Sequence, residues 1–190
     1  MHHFDNIIFI LENLIEIHEK KSWFNKKPMT LYHGSPNNFT SFDINKSGST
    51  NDYGMYGKGV YLTPEKDAAK SFGGEKGSLH TVRTTLKNPL HILSRKHLNK
   101  TMKNFHSETG YKDNKINNKP TQEYSEKFSN YLQSKGYDGI IDHRHGRGTK
   151  PVKDSKTGET KERNTKWHQV VSFNPNKQTK IVGTKNYNLH

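Results

Sequence analysis

The 190-residue chain contains no cysteine. That absence excludes disulfide cross-links, thiolate zinc sites and a cysteine nucleophile, and it leaves the redox compartment open. Long apolar runs are missing as well. The longest, Ile7 to Leu11, falls far short of the ~20 residues that a membrane-spanning helix needs, and it has neither the basic leader nor the small-residue cleavage site of a signal peptide. The expectation is a soluble, cytoplasmic protein without a membrane partner. Apolar residues make up only 28% of the chain, a value that leans toward disorder, but 2 Trp, 9 Tyr and 9 Phe lean the other way. One domain with a modest core and long polar excursions reconciles the two, since the length leaves no room for two full domains. Acidic residues are scarce: 18 Asp and Glu stand against 31 Lys and Arg, a net charge of +13. The balance favours a polyanionic partner over a cationic one.

Several familiar site patterns are also absent. The chain has 12 His, but no HExxH or HxxxH pattern, and His143-Arg144-His145 and His2-His3 are too closely spaced to form a chelating face, so no metal site is expected. Gly54, Gly57 and Gly59 match neither GxxxxGK[ST] nor GxGxxG, and no Ser-His-Asp arrangement can be argued from spacing.

What is present organises the chain. Residues 4 to 20 carry apolar side chains on one helical face, followed by a lysine-rich linker that ends at Pro28, so residues 1–28 read as an N-terminal helix and linker. That helix packs on the body or on a partner. From residue 29 a single domain runs to residue 190. Met29 to His33 alternates as a short strand closed by Gly34, Ser35 and Pro36. Val60 to Thr63 forms a second strand, and Pro64-Glu65 opens a helix through Phe72 that Gly73-Gly74 closes. Leu79 to Leu86 is strand-like, with His80, Val82, Thr84 and Leu86 on one face. Thr121 to Lys135 is the clearest helix, with Tyr124, Phe128, Tyr131 and Leu132 as its stripe and Gly136 at its C-cap. Ile140-Ile141, Val170 to Phe173 and Gln178 to Val182 are further strand candidates. Short strands with few helices between them indicate an α+β fold with a substantially antiparallel sheet.

Charge is concentrated rather than spread. Ten of the thirteen excess positive charges lie in two 25-residue segments, Arg95 to Lys119 and His143 to Trp167. The second segment has only Val152 and Trp167 as sizeable apolar residues, and it reads either as a solvated loop or as a target-recognition loop.

Three blocks taken together resemble the ADP-ribosyltransferase superfamily, in the branch with a His-Tyr-Glu signature that diphtheria-type toxins share with poly-ADP-ribose polymerases. The blocks are Leu31-Tyr32-His33-Gly34-Ser35-Pro36, then Tyr56-Gly57-Lys58-Gly59-Val60-Tyr61-Leu62-Thr63 with Ala68-Ala69 and Phe72, then Gln169-Val170-Val171-Ser172-Phe173-Asn174-Pro175. Gly136-Tyr137-Asp138-Gly139-Ile140-Ile141 resembles a turn and strand preceding the last block. The resemblance implies a split antiparallel β-sheet core with a few flanking helices, and NAD as co-substrate. It implies that His33 bonds the adenosine-side ribose, that Gly34 and the adjoining Ser35 seat the nicotinamide end, and that Tyr61 and Phe72 clamp the nicotinamide ring. Ala69 falls where relatives often carry a serine on the nicotinamide amide. The catalytic glutamate of the family corresponds to Gln169 here. Gln accepts a hydrogen bond but supplies no negative charge, and three readings stay open: an inactivating change that allows a toxic enzyme to be produced, a natural active variant, or a binding module without transferase activity. Glu159 and Glu162 could substitute only if the basic loop folds back.

The basic segment 143–167 occupies the place of the family's target-recognition loop. Arg144, Arg147, Lys150, Lys153, Lys166 and Trp167 are the expected acceptor-binding residues, and phosphate contacts with one aromatic for stacking suit nucleic acid, RNA ahead of DNA. An acidic protein surface is the other target. Small members of this branch are often bacterial or phage toxins, so the resemblance also implies a setting of toxin–antitoxin pairs and phage defence, with an antitoxin protein as a further partner.

Overall fold

The computed structural model describes residues 28–47, 53–74, 76–112, 120–153 and 160–187. The expected helix of residues 4 to 20 lies outside them. Seven strands form two sheets. The first holds β1 (Met29–Ser35), β3 (Ser78–Thr84) and β7 (Thr179–Asn186) in the order β1-β3-β7; the second holds β2 (Val60–Leu62), β6 (Thr160–Ser172), β5 (Gly139–Lys153) and β4 (Pro89–Ile92) in the order β2-β6-β5-β4. The two sheets meet where Tyr32 and Thr63 bridge β1 to β2 through paired backbone hydrogen bonds of 2.7 and 3.0 Å. This is the split sheet of an α+β fold. One ladder departs from the antiparallel expectation: β4 runs parallel to β5, from Pro89 opposite Gly139 to Ile92 opposite Asp142.

Each sheet face has its own apolar cluster, and the alternation of each strand decides which side chain joins which. Met29, Leu31, Val60, Leu62, Val82, Ile141 and Val170 bury one face together, as period-two strands require. Tyr56, Ile92, Ile140, Val171 and Phe173 bury the other face beneath two helices, α2 (Arg95–Thr109) and α3 (Gln122–Ser134). Helix α3 follows its sequence pattern: Thr121 caps it by accepting from the Tyr124 N–H at 3.1 Å, and Tyr124, Phe128 and Leu132 are buried. Gly136, at φ 85°, turns the chain into β5, and the Asp138 carboxylate fixes that turn by accepting from the N–H groups of Lys87 and Asn88.

Helix α2 and strand β4 are among the elements not read from the sequence. Helix α2 occupies most of the first basic segment. It begins at a Ser94 cap, ends at Gly110 in the left-handed region, and buries only Leu98 and Phe105, so its apolar stripe is too thin to stand out among lysines and asparagines. β4 is four residues long and offers too few alternations to register. The second basic segment requires a correction. Residues read as a loop are largely strand: beyond a register shift between Asp142 and Gly146, β5 and β6 continue as a two-stranded ribbon, from Gly146 opposite Trp167 to Lys153 opposite Thr160. Backbone pairing needs no apolar side chains, so a polar sequence conceals it.

Candidate functional site

The site grows from the seam between the sheets. The His33 Nδ1–H donates to the Tyr61 carbonyl at 2.8 Å. A carbonyl can only accept, so the proton belongs on Nδ1 and the lone pair on Nε2. The ring sits among Phe42, edge-on at 5.1 Å, Phe39 and His80. Burial lowers its pKa, and neighbouring His80 adds to this against the opposing bond to Tyr61; the imidazole is therefore neutral at pH 7. Gly34 is fixed by packing. A β-carbon there would lie 1.7 Å from the Ala69 carbonyl oxygen, because helix α1 (Lys66–Gly73) presses its buried Ala68-Ala69 face onto β1. Ser35 is buried, and its hydroxyl accepts from the Asn37 N–H at 3.1 Å.

Tyr61 is half-buried, and its hydroxyl is bound at both ends of its chemistry: it donates to the Gly57 carbonyl at 2.8 Å and accepts from the Tyr56 N–H at 3.1 Å. The preceding turn follows this ring so closely that a β-carbon on Gly54, at φ 75°, would meet the Tyr61 hydroxyl at 2.0 Å. The glycine-rich stretch thus moulds a strand–turn around one tyrosine. Phe72, on the last turn of α1, is 54% exposed, which separates it from the core aromatics.

Gln169 lies in β6 opposite Asp142 of β5. Cross-strand partners share a face, and Val171, two residues on, pairs with Tyr61, so Gln169, Asp142 and Tyr61 stand on one side of the sheet. Sequence reading did not single out Asp142. It is 6% exposed and accepts from the Arg144 Nε–H at 2.9 Å, the Arg144 N–H at 3.0 Å and the Arg144 Nη2–H at 2.8 Å, as well as from the Tyr56 hydroxyl. Burial first, and the Asp142 charge second, drive the Tyr56 phenol far above its ordinary value, while the bond to Asp142 raises the Arg144 guanidinium further. Arg144, one of the expected target-binding residues, is anchored in this network at the root of the ribbon. Tyr56 connects the network to Tyr61, so one chain of hydrogen bonds runs from Arg144 to the seam.

A second carboxylate stands on the other flank of Gln169. Glu65 accepts from the His168 N–H at 3.1 Å and pairs with the His168 Nδ1 at 2.7 Å, and it also accepts from the Thr63 hydroxyl. Burial alone would raise its pKa, but the hydrogen bonds from His168 and Thr63 outweigh burial and hold the carboxyl below its ordinary value. The expected substitutes fare differently. Glu162 pairs with Pro151 out on the ribbon, about 24 Å along the strand from Gln169 at ~3.4 Å per residue, so it does not fold back; Glu159 lies outside the described residues. No spacing signal pointed to Glu65 or Asp142, because each reaches the site through a fold contact rather than through a motif.

The ribbon carries the remaining target-binding candidates. Arg147 stands opposite Lys166, Lys150 opposite Arg163, Lys153 opposite Thr160, and Trp167 opposite Gly146. Among the described residues no three His, Asp or Glu are grouped to hold a metal ion, and no helix is long and apolar enough to cross a membrane.

Compared with known proteins, residues 25–188 match the model of a family described as ADP-ribosyltransferase in polyvalent proteins. No curated protein matches the chain.

Proposed function

This chain belongs to the ADP-ribosyltransferase family, and from that premise we propose that it cleaves NAD at the nicotinamide–ribose bond and transfers ADP-ribose to nucleic acid, RNA ahead of DNA. The observation that carries the reading is the convergence at the sheet seam: His33 bonded to the Tyr61 carbonyl, with Gln169 on the face of the sheet that Tyr61 shares.

In this reading the His33 Nε2 accepts from a ribose hydroxyl on the adenosine side, and Gly34 offers backbone where no side chain intrudes. Tyr61, held by its hydroxyl, presents its ring to the nicotinamide, with exposed Phe72 closing from α1; a flat pyridinium between aromatic faces is favoured by stacking and cation–π attraction. Ser35 and Ala69 line the nicotinamide end. The C1′–N bond then breaks, its electron pair leaves with nicotinamide, and the acceptor nucleophile bonds C1′ while losing its proton. The Gln169 carboxamide oxygen accepts from a ribose hydroxyl and orients the sugar, but it lacks the charge that would stabilise an oxocarbenium-like transition state. Arg147, Lys150, Lys153, Lys166 and Trp167 deliver the acceptor along the ribbon. The biological setting this supports is a cytoplasmic toxin with an antitoxin partner.

The test is incubation of the protein and its Gln169→Glu form with labelled NAD and RNA, DNA or purified acidic protein. Label is expected on nucleic acid, with the Glu form faster by about 10²–10³-fold, the usual worth of one preorganised electrostatic contact. Label on protein alone moves the acceptor class. No NAD turnover by either form, with nucleic acid still bound, reduces the chain to a binding module.

A further inference from the structure

The first basic segment has no part in the reaction just described, yet the fold brings it to the same place as the second. β4 ends at Ile92 opposite Asp142, the residue that itself stands opposite Gln169. Beside it the rings of His91 and His143 stack at 5.0 Å, with Nδ1 of one 2.7 Å from Nε2 of the other. Helix α2 starts two residues further, at Ser94, and its Leu98 and Phe105 pack in the cluster on the sheet face that Gln169 and Tyr61 share. The parallel β4–β5 ladder therefore sets the start of α2 next to the root of the ribbon, although the two segments are separated by more than twenty residues of sequence.

The outward face of α2 carries a row of lysines and no acidic residue. Lys96, Lys100 and Lys103 recur at i, i+4 and i+7, which confines them to about 60° of arc, diametrically opposite Leu98 and Phe105 at 100° per residue. All three are exposed, and among the described residues none is in an ion pair. The helix's one acidic side chain, Glu108, is taken up at the far end by Lys135 at 2.5 Å. From Lys96 to Lys103 the row spans about 10.5 Å, close to three nucleotides of a helical strand at ~3.4 Å each.

We propose that the lysine face of α2 is a second nucleic-acid contact, one that holds the phosphate backbone beside the root of the ribbon, so that the acceptor strand is gripped by the ribbon and by α2 together. The inference rests on nucleic acid being the acceptor. Its occupant is chosen by charge complementarity and by continuity with the ribbon: a row of solvated ammonium groups binds phosphates without reading bases.

The experiment measures fluorescence anisotropy of a labelled single-stranded RNA 20-mer with the full chain, across a salt series. Three proteins are compared: the starting chain, a Lys96→Gln/Lys100→Gln/Lys103→Gln variant, and a Lys177→Gln/Lys180→Gln/Lys185→Gln variant that removes the same charge from β7 and the turn of helix before it. All six lysines are exposed, so unchanged melting temperatures are expected. The α2 variant should bind at least tenfold more weakly, and its slope of log K against log salt should flatten by about 2, at ~0.7 for each phosphate of a single strand that is no longer neutralised. NAD hydrolysis without acceptor should be unchanged, and the control variant should bind like the starting chain. Equal weakening in both variants would show a net-charge effect and overturn the proposal, as would an α2 variant that binds normally. If the starting chain itself binds no nucleic acid yet turns over NAD, the acceptor class is wrong and the lysine face falls with it; that outcome is distinct, because it appears before any substitution. Retained RNA binding with reduced affinity for anionic vesicles would assign the face to lipid instead.

Discussion

His33 is neutral because a buried imidazole is costly to ionise. The consequence has a definite sign. Its pKa is lowered in the fold from the ordinary 6.5, and His80 beside it is lowered too, again by burial first. On acidification the unfolded chain takes up protons before the native one, so stability falls as pH drops below about 6.5 until the native rings protonate. Thermal melts at pH 7.5 and 5.5 should show the loss, and His33→Ala should show less of it. The same variant should weaken NAD about tenfold by calorimetry, the ~1.4 kcal/mol of one good hydrogen bond; an unchanged Kd removes His33 from the ribose. Gly34→Ala should cost more in folding than in chemistry. Its β-carbon would fall 1.7 Å from backbone of α1, an overlap no rotamer relieves, so a loss of ~1–3 kcal/mol and several degrees of melting temperature is expected. These two residues were legible because they stand in a short contiguous block, Leu31 to Pro36, that carries the family resemblance. Asp142 was not, nor was its contact with Tyr56, since the hydrogen bond that joins them spans 86 residues and only the folded sheet reveals it.

Among elements, α1, β2 and β6 are held together at one carboxylate. Glu65 ends the β2 connection, precedes α1 and binds both the backbone and the ring of His168. The position of α1 over β1, and with it Phe72, therefore depends on this carboxylate next to Gln169. With its pKa held below the ordinary value, Glu65 contributes stability that is complete above the unfolded carboxyl pKa and is lost as pH falls through the folded one. Glu65→Gln keeps the shape and removes the charge, so its melting temperature should lie below that of the starting chain at pH 7 and approach it at pH 3–4. A constant difference across that range would mean that the carboxylate's ionisation does not matter. Helices with a full apolar stripe, such as α3, could be read in advance. Helix α2 could not, because two buried side chains suffice once a sheet is there to receive them, and the ribbon could not, because its ladder is made of backbone alone.

At the scale of the whole molecule, the charge and the sheet divide the work. The core ladder from Gly139 opposite Ser172 to Asp142 opposite Gln169 is built around the buried Ile140, Ile141, Val170 and Val171, whereas the sequence of the ladder beyond Gly146 is largely polar; one pair of strands serves first as core and then as arm. The arm can therefore be removed without unmaking the core. Gly146 and Trp167 are register partners, so residues 147–166 can be replaced by an Asn-Gly turn, the two-residue connection that suits an antiparallel pair. The excision takes away four of the thirteen net positive charges and leaves Gln169, Asp142, Arg144 and the His33–Tyr61 hydrogen bond in place. The shortened chain should fold, as circular dichroism and a cooperative melt would report, and it should still release nicotinamide from NAD to water. Transfer of label to nucleic acid should be abolished. Surviving transfer would mean that the acceptor never used the ribbon. Loss of nicotinamide release in a folded protein would mean that the ribbon closes over NAD itself, and the division of the strand pair into core and arm would then be wrong.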